Sequence, residues 1–272
     1  MVRQNRFSVI VVCLNAGDKL GETVNSILGQ TFTDYEIVVK DGFSKDGSIE
    51  KLPTDERIKL YREKDTGIYE AMNQAVAKAQ GQYLIFLNCG DLFHDATVLE
   101  QVHRCITDDE IENGENHALI YYGNTYTALT DTVVASNPHI DAFACYRNVP
   151  CHQTCFYDRG LMQKRAYLPE YRVRADYEHF LWSYFEGGAK PKYMNVIVAD
   201  YEGGGFSETK ENIKRSRNEH TEIVRKYMSK GQILKYKVIL WVTLAPLRSK
   251  IAQNEKWSGV YNKMKDKLYR RK

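Results

Sequence analysis

Short apolar runs alternate with segments of helical periodicity along the amino-terminal third of this 272-residue chain. Four runs have the length of a strand, at residues 7–13, 35–40, 58–61 and 82–87, and the first and last of them are predicted to be buried. Residues 19–28 and 68–79 carry apolar side chains at the spacing of one helix face. This alternation predicts an α/β fold in which helices flank a mostly parallel central sheet.

Three of these strands run into loops that present an amide or a carboxylate side chain. Asn15, Asp41 and Asp91 lie in them, at the edge where a parallel sheet binds its ligands. In a turn rich in glycine and serine, Asp41 can accept hydrogen bonds from a nucleobase or from backbone N–H groups. Asp91 can hold a divalent cation that bridges a diphosphate, with a contact from Asn88 beside it. For each acid taken alone, ordinary loop polarity is the alternative.

The second half of the chain is less regular and ends in a separate segment. Strands are predicted at 118–122, 132–135, 154–157 and 192–199, and a helix at 173–185. The glycines at 203–205 are the clearest boundary signal, so we expect a catalytic domain over 1–205 and a helical, basic extension over 206–272.

Composition excludes several classes of protein. The hydrophobic share of 43% and the charged share of 27% are typical of a folded globular chain rather than a disordered one. A net charge of +3 gives no reason to expect nucleic acid as a partner. The six cysteines form no CxxC pair, and no apolar stretch reaches membrane-spanning length, which predicts a cytoplasmic protein. Cys151, His152 and Cys155 have no second ligand pair nearby, which argues against zinc.

Two ordered motifs carry a family resemblance. From Ser8 to Ser48, a strand, a turn, the run SILGQTFTDYEIVV and the element DGFSKDGS resemble the amino-terminal signature of inverting family 2 glycosyltransferases of the GT-A fold. The block EKDTGIYEAMN, residues 63–73, resembles that of the branch that builds bacterial exopolysaccharides, including colanic-acid-type transferases. The resemblance extends to about Ser207.

The resemblance implies a nucleotide site in the first half of the chain. Asn15 would lie in the nucleotide loop, and Asp41 would contact the base, most often uracil. Asp65 would line the same pocket, and Asn73 would help to fix the helix that faces the donor. The donor would then be a nucleotide-diphosphate sugar, most often a UDP-sugar.

The resemblance also implies a bound Mn²⁺ or Mg²⁺, held together with the donor diphosphate. The family usually carries two acids at the positions of Gly90 and Asp91, and this chain keeps the second one. Asp91 is therefore the predicted metal ligand. With one acid instead of two, an activity that depends only weakly or partly on the metal is the alternative.

The catalytic base would come from the segment RADYE, residues 174–178, which resembles the family's acidic element. Asp176 matches the catalytic acid. The alternative is that Asp176 and Glu178 merely stabilise a helix N-terminus. The pair His152 and Gln153, and with it Glu178, would border the acceptor or the diphosphate, although a histidine near a turn is also a common structural hydrogen-bonding group.

These expectations combine into one predicted reaction, the transfer of a sugar to a hydroxyl of a lipid-linked or polysaccharide acceptor in cell-surface polysaccharide synthesis. One alternative is a nucleotidyltransferase, although residues 14–17 are too short and uncharged for its phosphate loop. Another is a non-catalytic scaffold of a polysaccharide-assembly complex.

The extension has a strongly asymmetric charge. Residues 230–272 contain twelve Lys or Arg and two acids, and 233–247 is mostly apolar. This pattern predicts a helix on an anionic membrane surface, peripheral to the inner face of the plasma membrane. The alternative is a helix packed on the catalytic domain or on a second subunit of a homodimer.

Overall fold

The computed structural model describes residues 5–203 and 209–243. Within these ranges the strands are β1 (Phe7–Cys13), β2 (Tyr35–Asp41), β3 (Ile58–Arg62), β4 (Tyr83–Phe86), β5 (Leu92–Phe93), β6 (Ile120–Thr127), β7 (Thr132–Val134), β8 (Cys155–Asp158) and β9 (Pro191–Tyr201). The helices are α1 (Asp18–Leu28), α2 (Ile68–Lys78), α3 (Val98–Asn113), α4 (Ala142–Arg147), α5 (Arg159–Lys164), α6 (Ala175–Phe185), α7 (Lys210–Tyr227) and α8 (Lys230–Val242).

The described strands form one sheet in the order β3-β2-β1-β4-β8-β6-β9-β5, with β7 paired to β6. The pairs β1–β2, β1–β4, β2–β3 and β6–β9 are parallel, whereas β8, β7 and β5 join antiparallel. The predicted α/β fold with a mostly parallel sheet is confirmed. Because β1, β2 and β4 are parallel neighbours, their carboxyl ends meet at one edge of the sheet.

Helices cover both faces of the sheet and enclose two apolar cores. Alternate residues of β1 point to opposite faces, so Val9 and Val11 pack with α1 and α3 while Ile10 and Val12 pack with α2 and α6. A strand buried on both faces has no polar alternation, which explains the continuous apolar run from Val9 to Cys13.

The C-terminal helices are part of the second core. Ile223 and Val224 of α7 and Tyr236 of α8 are buried in the cluster that contains α6. Each helix begins at a hydroxyl N-cap: Thr209 accepts from the backbone N–H of Asn212, and Ser229 forms a capping box with Gln232. The helical character expected for the extension is therefore observed over 210–227 and 230–242. The predicted boundary at 205 stays a prediction.

Helix α8 is apolar on two sides. Ile233, Tyr236 and Leu240 face the core, whereas Leu234 and Trp241 are 64% and 77% exposed. No helix in the described ranges is long and apolar enough to cross a membrane. Most of the glycine loop at 203–207 and the basic segment from 244 to 272 lie outside the described residues.

Candidate active site

Two loops at the carboxyl edge of the sheet are tied together by side-chain hydrogen bonds. Asn15 follows β1, and its Oδ1 accepts from the Lys45 backbone N–H at 2.9 Å. The Asn15 backbone N–H donates to Ser44 Oγ at 2.8 Å. Gly17 donates from its backbone to Asp46 Oδ2 at 2.7 Å, and hydrogen bonds from Ser48 and Gly17 lower the pKa of Asp46 to about 2. Asn15 thus ties its loop to the loop after β2, whereas its place in a nucleotide loop stays a prediction.

Asp41, at the end of β2, is buried inside this loop. Its Oδ1 accepts from the backbone N–H and the hydroxyl of Ser44 at 2.9 and 2.6 Å, and Arg62 Nε donates to Oδ2 at 2.9 Å. Burial alone would raise the pKa of Asp41, but the Ser44 hydrogen bonds and the Arg62 charge lower it below its usual value. The carboxylate is therefore ionised and holds the loop in one conformation.

Asp65 lies beside this loop and lines the first cleft. It forms an ion pair with Lys40, a side chain that is only 1% exposed. The cleft has a volume of about 420 Å³. Its walls come from the end of β1 and the start of α2, namely Val12, Cys13, Leu14, Asp65, Thr66, Gly67, Ile68, Tyr69, Glu70 and Ala71, with Pro169 and Arg172 opposite.

Asn73 acts at a distance from the cleft, by fixing helix α2. Its amide group pairs with the backbone of Tyr167 in both directions, since Nδ2 donates to the carbonyl and Oδ1 accepts from the N–H, each at 2.9 Å. The position of α2 is thereby locked to the segment that follows α5. That α2 faces the donor stays a prediction.

Asp91 follows β4 and is almost fully buried. Its Oδ2 accepts from Gln153 Nε2 at 2.9 Å, and its Oδ1 accepts from the backbone N–H of Glu202 at 3.3 Å. Burial raises the pKa of Asp91, against the lowering effect of these hydrogen bonds. Thr23 of α1 donates to the Asp91 carbonyl at 3.0 Å, which orients the turn.

His152 connects the Asp91 side of the site to Asp176. Its Nε2 accepts from Asn88 Nδ2 at 2.9 Å, which leaves the proton on Nδ1, and Nδ1 lies 3.3 Å from Asp176 Oδ2. Gln153, the next residue, contacts Asp91. The short turn at 152–154 therefore joins the loop that follows β4 to α6, although the two are far apart in the sequence.

Asp176, in the first turn of α6, lies between two clefts. Tyr69 lines the first cleft, and its hydroxyl donates to Asp176 Oδ1 at 2.9 Å. Asp176 itself lines a second cleft of about 550 Å³, together with Arg147, Arg174 and other residues. Burial would raise the pKa of Asp176, but hydrogen bonds from His152 and Tyr69 lower it below its usual value. The carboxylate is thus kept ionised, and no Lys or Arg within residues 5–203 and 209–243 forms an ion pair with it.

A glutamate of α7 positions this carboxylate. Glu219 accepts from the backbone N–H groups of Arg172, Val173 and Arg174, at 3.0, 3.0 and 2.9 Å. The segment that enters α6 is therefore fixed from the C-terminal extension. Glu219 was not predicted, because its partners are backbone groups on a distant loop and leave no local pattern in the sequence.

The expectation that Glu178 borders the acceptor or the diphosphate is wrong. Its side chain is 0% exposed and faces α7, where Lys226 Nζ and the Tyr227 hydroxyl donate to Oε1 at 2.7 and 2.5 Å. Arg165 pairs with the other oxygen. Asp176 and Glu178 are two residues apart on a helix, so their side chains point to different sides.

The predicted residues thus form two groups, of which Asp65 lines the first cleft and Asp176 lines the second. Asn15, Asp41 and Asp65 belong to the loops at one end, whereas Asn88, Asp91, His152, Gln153 and Asp176 form a connected set at the other. Tyr69 joins the two groups, because it lines the cleft and contacts Asp176.

The residues around Asp91 fit a divalent cation that brings ligands with it. Asn88 Oδ1 is buried and has no hydrogen-bond partner among the described residues, and Asn88 follows the same strand as Asp91. Amide and carboxylate oxygens are the ligands that Mg²⁺ and Mn²⁺ prefer. Within residues 5–203 and 209–243, no group of three or more His, Cys, Asp or Glu side chains is placed to hold a metal. A diphosphate would supply the missing oxygen atoms.

Fold and site together define a GT-A-type glycosyltransferase. Residues 8–171 match the family described as Glycosyl transferase family 2, and the chain belongs to that family. Of the three functions considered from the sequence, this membership favours the glycosyltransferase over the nucleotidyltransferase and the non-catalytic scaffold.

Curated relatives refine the branch. PGL/p-HBAD biosynthesis glycosyltransferases of Mycobacterium bovis and Mycobacterium tuberculosis are 33% identical over 219 residues, which covers 77% of this chain and 83% of those proteins. TuaG of Bacillus subtilis, a putative teichuronic acid biosynthesis glycosyltransferase, is 38% identical over 89 residues, or 31% of this chain and 35% of that protein. The long alignments are with the PGL/p-HBAD transferases, which corrects the expected colanic-acid-type branch.

Solved structures confirm the fold. A fragment of Staphylococcus aureus TarS in complex with UDP superposes with a TM-score of 0.64 at 16% identity, over 85% of this chain and 69% of that chain. The mannosyltransferase PcManGT of Pyrobaculum calidifontis, in complex with GDP-Man and Mn²⁺, has a TM-score of 0.62 at 16% identity, over 97% of this chain and 74% of that chain. At these identities the likeness shows the fold alone.

Proposed function

We propose that this chain is an inverting glycosyltransferase that moves a sugar from a nucleotide diphosphate, a UDP-sugar in the first instance, to an acceptor hydroxyl. The observation that carries the proposal is the position of Asp176. Its carboxylate contacts Tyr69 of the first cleft and itself lines the second cleft. A donor in one cleft and an acceptor in the other would meet at this side chain.

Asp176 serves as the general base in this proposal. The acceptor oxygen forms a bond to the anomeric carbon as the bond from that carbon to the diphosphate breaks, and the hydroxyl proton passes to Asp176. Hydrogen bonds from His152 and Tyr69 keep the carboxylate ionised, and therefore able to accept a proton, at neutral pH. Because Tyr69 holds Oδ1 and His152 approaches Oδ2, the orientation of the carboxylate is fixed before the substrate arrives.

The donor is assigned to the first cleft. Asp65 lines this cleft, and so does Leu14, the neighbour of Asn15 in the loop that is hydrogen-bonded to Ser44. The TarS complexes with UDP and UDP-GlcNAc support a uridine nucleotide, whereas the PcManGT complex contains GDP-Man. The uridine choice therefore rests on the sequence resemblance together with TarS.

A divalent cation would be held by the Asp91 carboxylate and by the side-chain amide oxygen of Asn88, Oδ1. When bound, it would neutralise charge on the departing diphosphate. Gln153 donates to Asp91 Oδ2, and Glu202 donates to Oδ1 from its backbone. These donors hold the carboxylate in place.

The acceptor is assigned to the second cleft and to glycoconjugate or cell-wall polymer synthesis. The relatives act in the biosynthesis of PGL/p-HBAD and, putatively, of teichuronic acid, which supports a lipid-linked or polysaccharide acceptor. Arg147, Arg174 and Asn148 line this cleft and supply hydrogen-bond donors for an anionic or hydroxyl-rich acceptor.

The exposed side of α8 is proposed to rest on an anionic membrane surface, near lipid-linked acceptors. Leu234, Val238, Trp241 and Val242 are exposed at helical spacing and form one stripe. Lys235 and Lys237 are exposed on the same helix. Apolar residues flanked by lysines bind the interface of anionic bilayers.

A donor screen tests the proposal. UDP-, GDP- and dTDP-sugars are titrated into the protein with and without Mn²⁺, by calorimetry or thermal shift. The donor that binds is then incubated with acceptors, and the anomeric configuration of the product is read by NMR. We expect a UDP-sugar to bind and the product configuration to be inverted. Binding without transfer to any acceptor would support a scaffold instead, and retention of configuration would contradict the mechanism.

A further inference from the structure

Strand β9 ends beside Gly90, the position where the family signature usually carries an acid. Strands β5 and β9 pair antiparallel, with Leu92 opposite Asp200. Continuing this register by two residues brings Gly90 opposite Glu202. Glu202 therefore reaches the position of the missing acid from a different strand.

The space beside Gly90 is occupied by the Glu202 carboxylate. A Cβ atom built on Gly90 would overlap Glu202 Oε2. Gly90 also has a φ of 99°, in the region that residues with a side chain rarely adopt. The Glu202 backbone N–H donates to Asp91 Oδ1 at 3.3 Å, so Glu202 and Asp91 are in contact. A side chain at position 90 would therefore require the Glu202 carboxylate to move from its observed place.

We propose that Glu202 supplies the carboxylate that position 90 lacks, and that Glu202 and Asp91 together hold the divalent cation. This inference rests on the proposed function, because the cation in question accompanies the donor diphosphate. The Glu202 side chain is 46% exposed and therefore accessible to a ligand. Asn88 Oδ1 has no hydrogen-bond partner in the described part of the chain, and with it the two carboxylates provide oxygen atoms of the type that Mn²⁺ and Mg²⁺ bind.

Lys19 places a positive charge beside the Glu202 carboxylate. Its Nζ lies 2.6 Å from Glu202 Oε2, and its Cδ lies 3.5 Å from the position of a Cβ on Gly90. Without a cation, the ammonium group balances the charge of Glu202. With a cation, the two positive charges compete for one carboxylate. Removal of the Lys19 charge and removal of the Glu202 charge should therefore change cation affinity in opposite directions.

Direct measurement of Mn²⁺ binding tests this inference independently of transfer. The signal of free Mn²⁺ is followed by EPR as the full chain is titrated, alone and with saturating UDP. The variants are Glu202→Gln, Lys19→Gln and the matched control Asp18→Asn. Asp18 is an exposed carboxylate of the same region that pairs with Lys51 at 2.6 Å. Thermal unfolding of each variant verifies that it is folded.

We expect Glu202→Gln to weaken Mn²⁺ binding about tenfold or more. Lys19→Gln should tighten Mn²⁺ binding to the UDP-free chain, and Asp18→Asn should leave it unchanged. The inference is overturned if Glu202→Gln binds Mn²⁺ within twofold of the unmodified chain, or if the unmodified chain binds none in either state. Transfer without Mn²⁺ binding would overturn this inference alone, whereas the expected Mn²⁺ pattern without transfer from any donor would contradict the proposed function alone.

Discussion

Tyr69 and Asp176 are joined by a hydrogen bond of 2.9 Å, although they belong to helices on different halves of the chain. The carbonyl of Val173, just before α6, lies 2.9 Å from the same hydroxyl, so the single Tyr69 proton is shared between the two acceptors. One side chain therefore fixes both the entry to α6 and the carboxylate in its first turn. This contact is also the border between the two clefts, so a shift of α2 would move the proposed base.

Replacing Asp176 with asparagine removes the proposed proton acceptor and preserves its size. We expect Asp176→Asn to lower kcat by ~10²–10⁴, the usual contribution of a positioned base. The affinity for the nucleotide donor should change little, because the carboxylate lies beyond the first cleft. Steady-state transfer kinetics and donor calorimetry measure the two effects, and turnover equal to that of the unmodified chain would remove Asp176 from this role.

The pH dependence of transfer reports the hydrogen bonds to Asp176. His152 and Tyr69 lower the pKa of this carboxyl, so His152→Ala should raise it. A base with a raised pKa is protonated over a wider acidic range. The acidic limb of kcat/KM against pH should therefore move to higher pH. Tyr69→Phe is the companion variant and should move the limb in the same direction; two unshifted profiles would contradict the assignment.

Asp109 of α3 links stability to pH. It accepts from the Ala118 backbone N–H at 2.7 Å, the Tyr121 hydroxyl at 2.6 Å and Lys192 at 2.6 Å. Burial opposes ionisation, but these partners lower the pKa of Asp109 from 3.8 to about 2. A lowered pKa in the folded state contributes stability above the unfolded value, and this is lost as the pH falls through the folded value. Asp109→Asn should therefore cost about 2 kcal/mol at pH 7.

Urea unfolding at pH 7, 4 and 2.5 measures this contribution. The difference in the free energy of unfolding between the unmodified chain and Asp109→Asn should shrink as the pH falls from about 4 towards 2. The neighbouring, exposed Asp108 provides the control, and Asp108→Asn should change stability by less than about 0.5 kcal/mol. A difference that is constant with pH would contradict the assignment.

Glu178 should matter for stability rather than for substrate binding. Glu178→Gln leaves Arg165 and Lys226 facing a neutral amide in a buried position. Loss of one partner of a buried ion pair lowers the free energy of unfolding by about 3–5 kcal/mol. Because Lys226 is partly exposed to water, we expect a value at the lower end of this range. Chemical unfolding measures it, with Glu186→Gln, at the exposed end of α6, as the control. If Glu178→Gln unfolds like the unmodified chain but binds the acceptor more weakly, Glu178 contacts the acceptor and the structural role assigned to it is wrong.

The exposed apolar stripe on α8 is expected to bind anionic membranes. Leu234→Ser combined with Trp241→Ser removes two of its exposed apolar side chains. Binding to vesicles that contain anionic lipid should weaken about tenfold or more, because less apolar area enters the bilayer. The thermal unfolding temperature should stay the same, since neither side chain is buried. Vesicle sedimentation measures the affinity, and an unmodified chain that does not sediment with anionic vesicles would contradict the proposal.

Local patterns were sufficient to predict most elements of the fold. The apolar run at 7–13 is β1, and the helix predicted at 68–79 is α2 within one residue. Helix α3 was not predicted, although Val98, Leu99, Val102 and Ile106 recur at helical spacing and are all buried. The short strand β5 has two residues, too few for a period to appear.

The candidate site was predictable where it depends on strand ends and unpredictable where it depends on long-range pairing. Asp91 follows β4 and could be placed from the sequence, because the carboxyl edge of a parallel sheet is the usual ligand site. Glu219 and Glu202 reach the site from later elements. Their positions depend on the packing of α7 and on the register of β9, which no local sequence pattern encodes.

The sheet order has a consequence for the chain as it leaves the ribosome. Strand β4 gains its first neighbour, β1, at once, but its other neighbour, β8, begins at Cys155. Translation proceeds at about 5–20 residues per second, so the chain between β4 and β8 takes several seconds to synthesise. During this time the edge of β4 that will pair with β8, in a strand of four apolar residues, has no partner. An open apolar edge can pair with another nascent chain. We therefore expect soluble yield to depend on chaperone supply and expression rate, even though the finished molecule covers this strand completely.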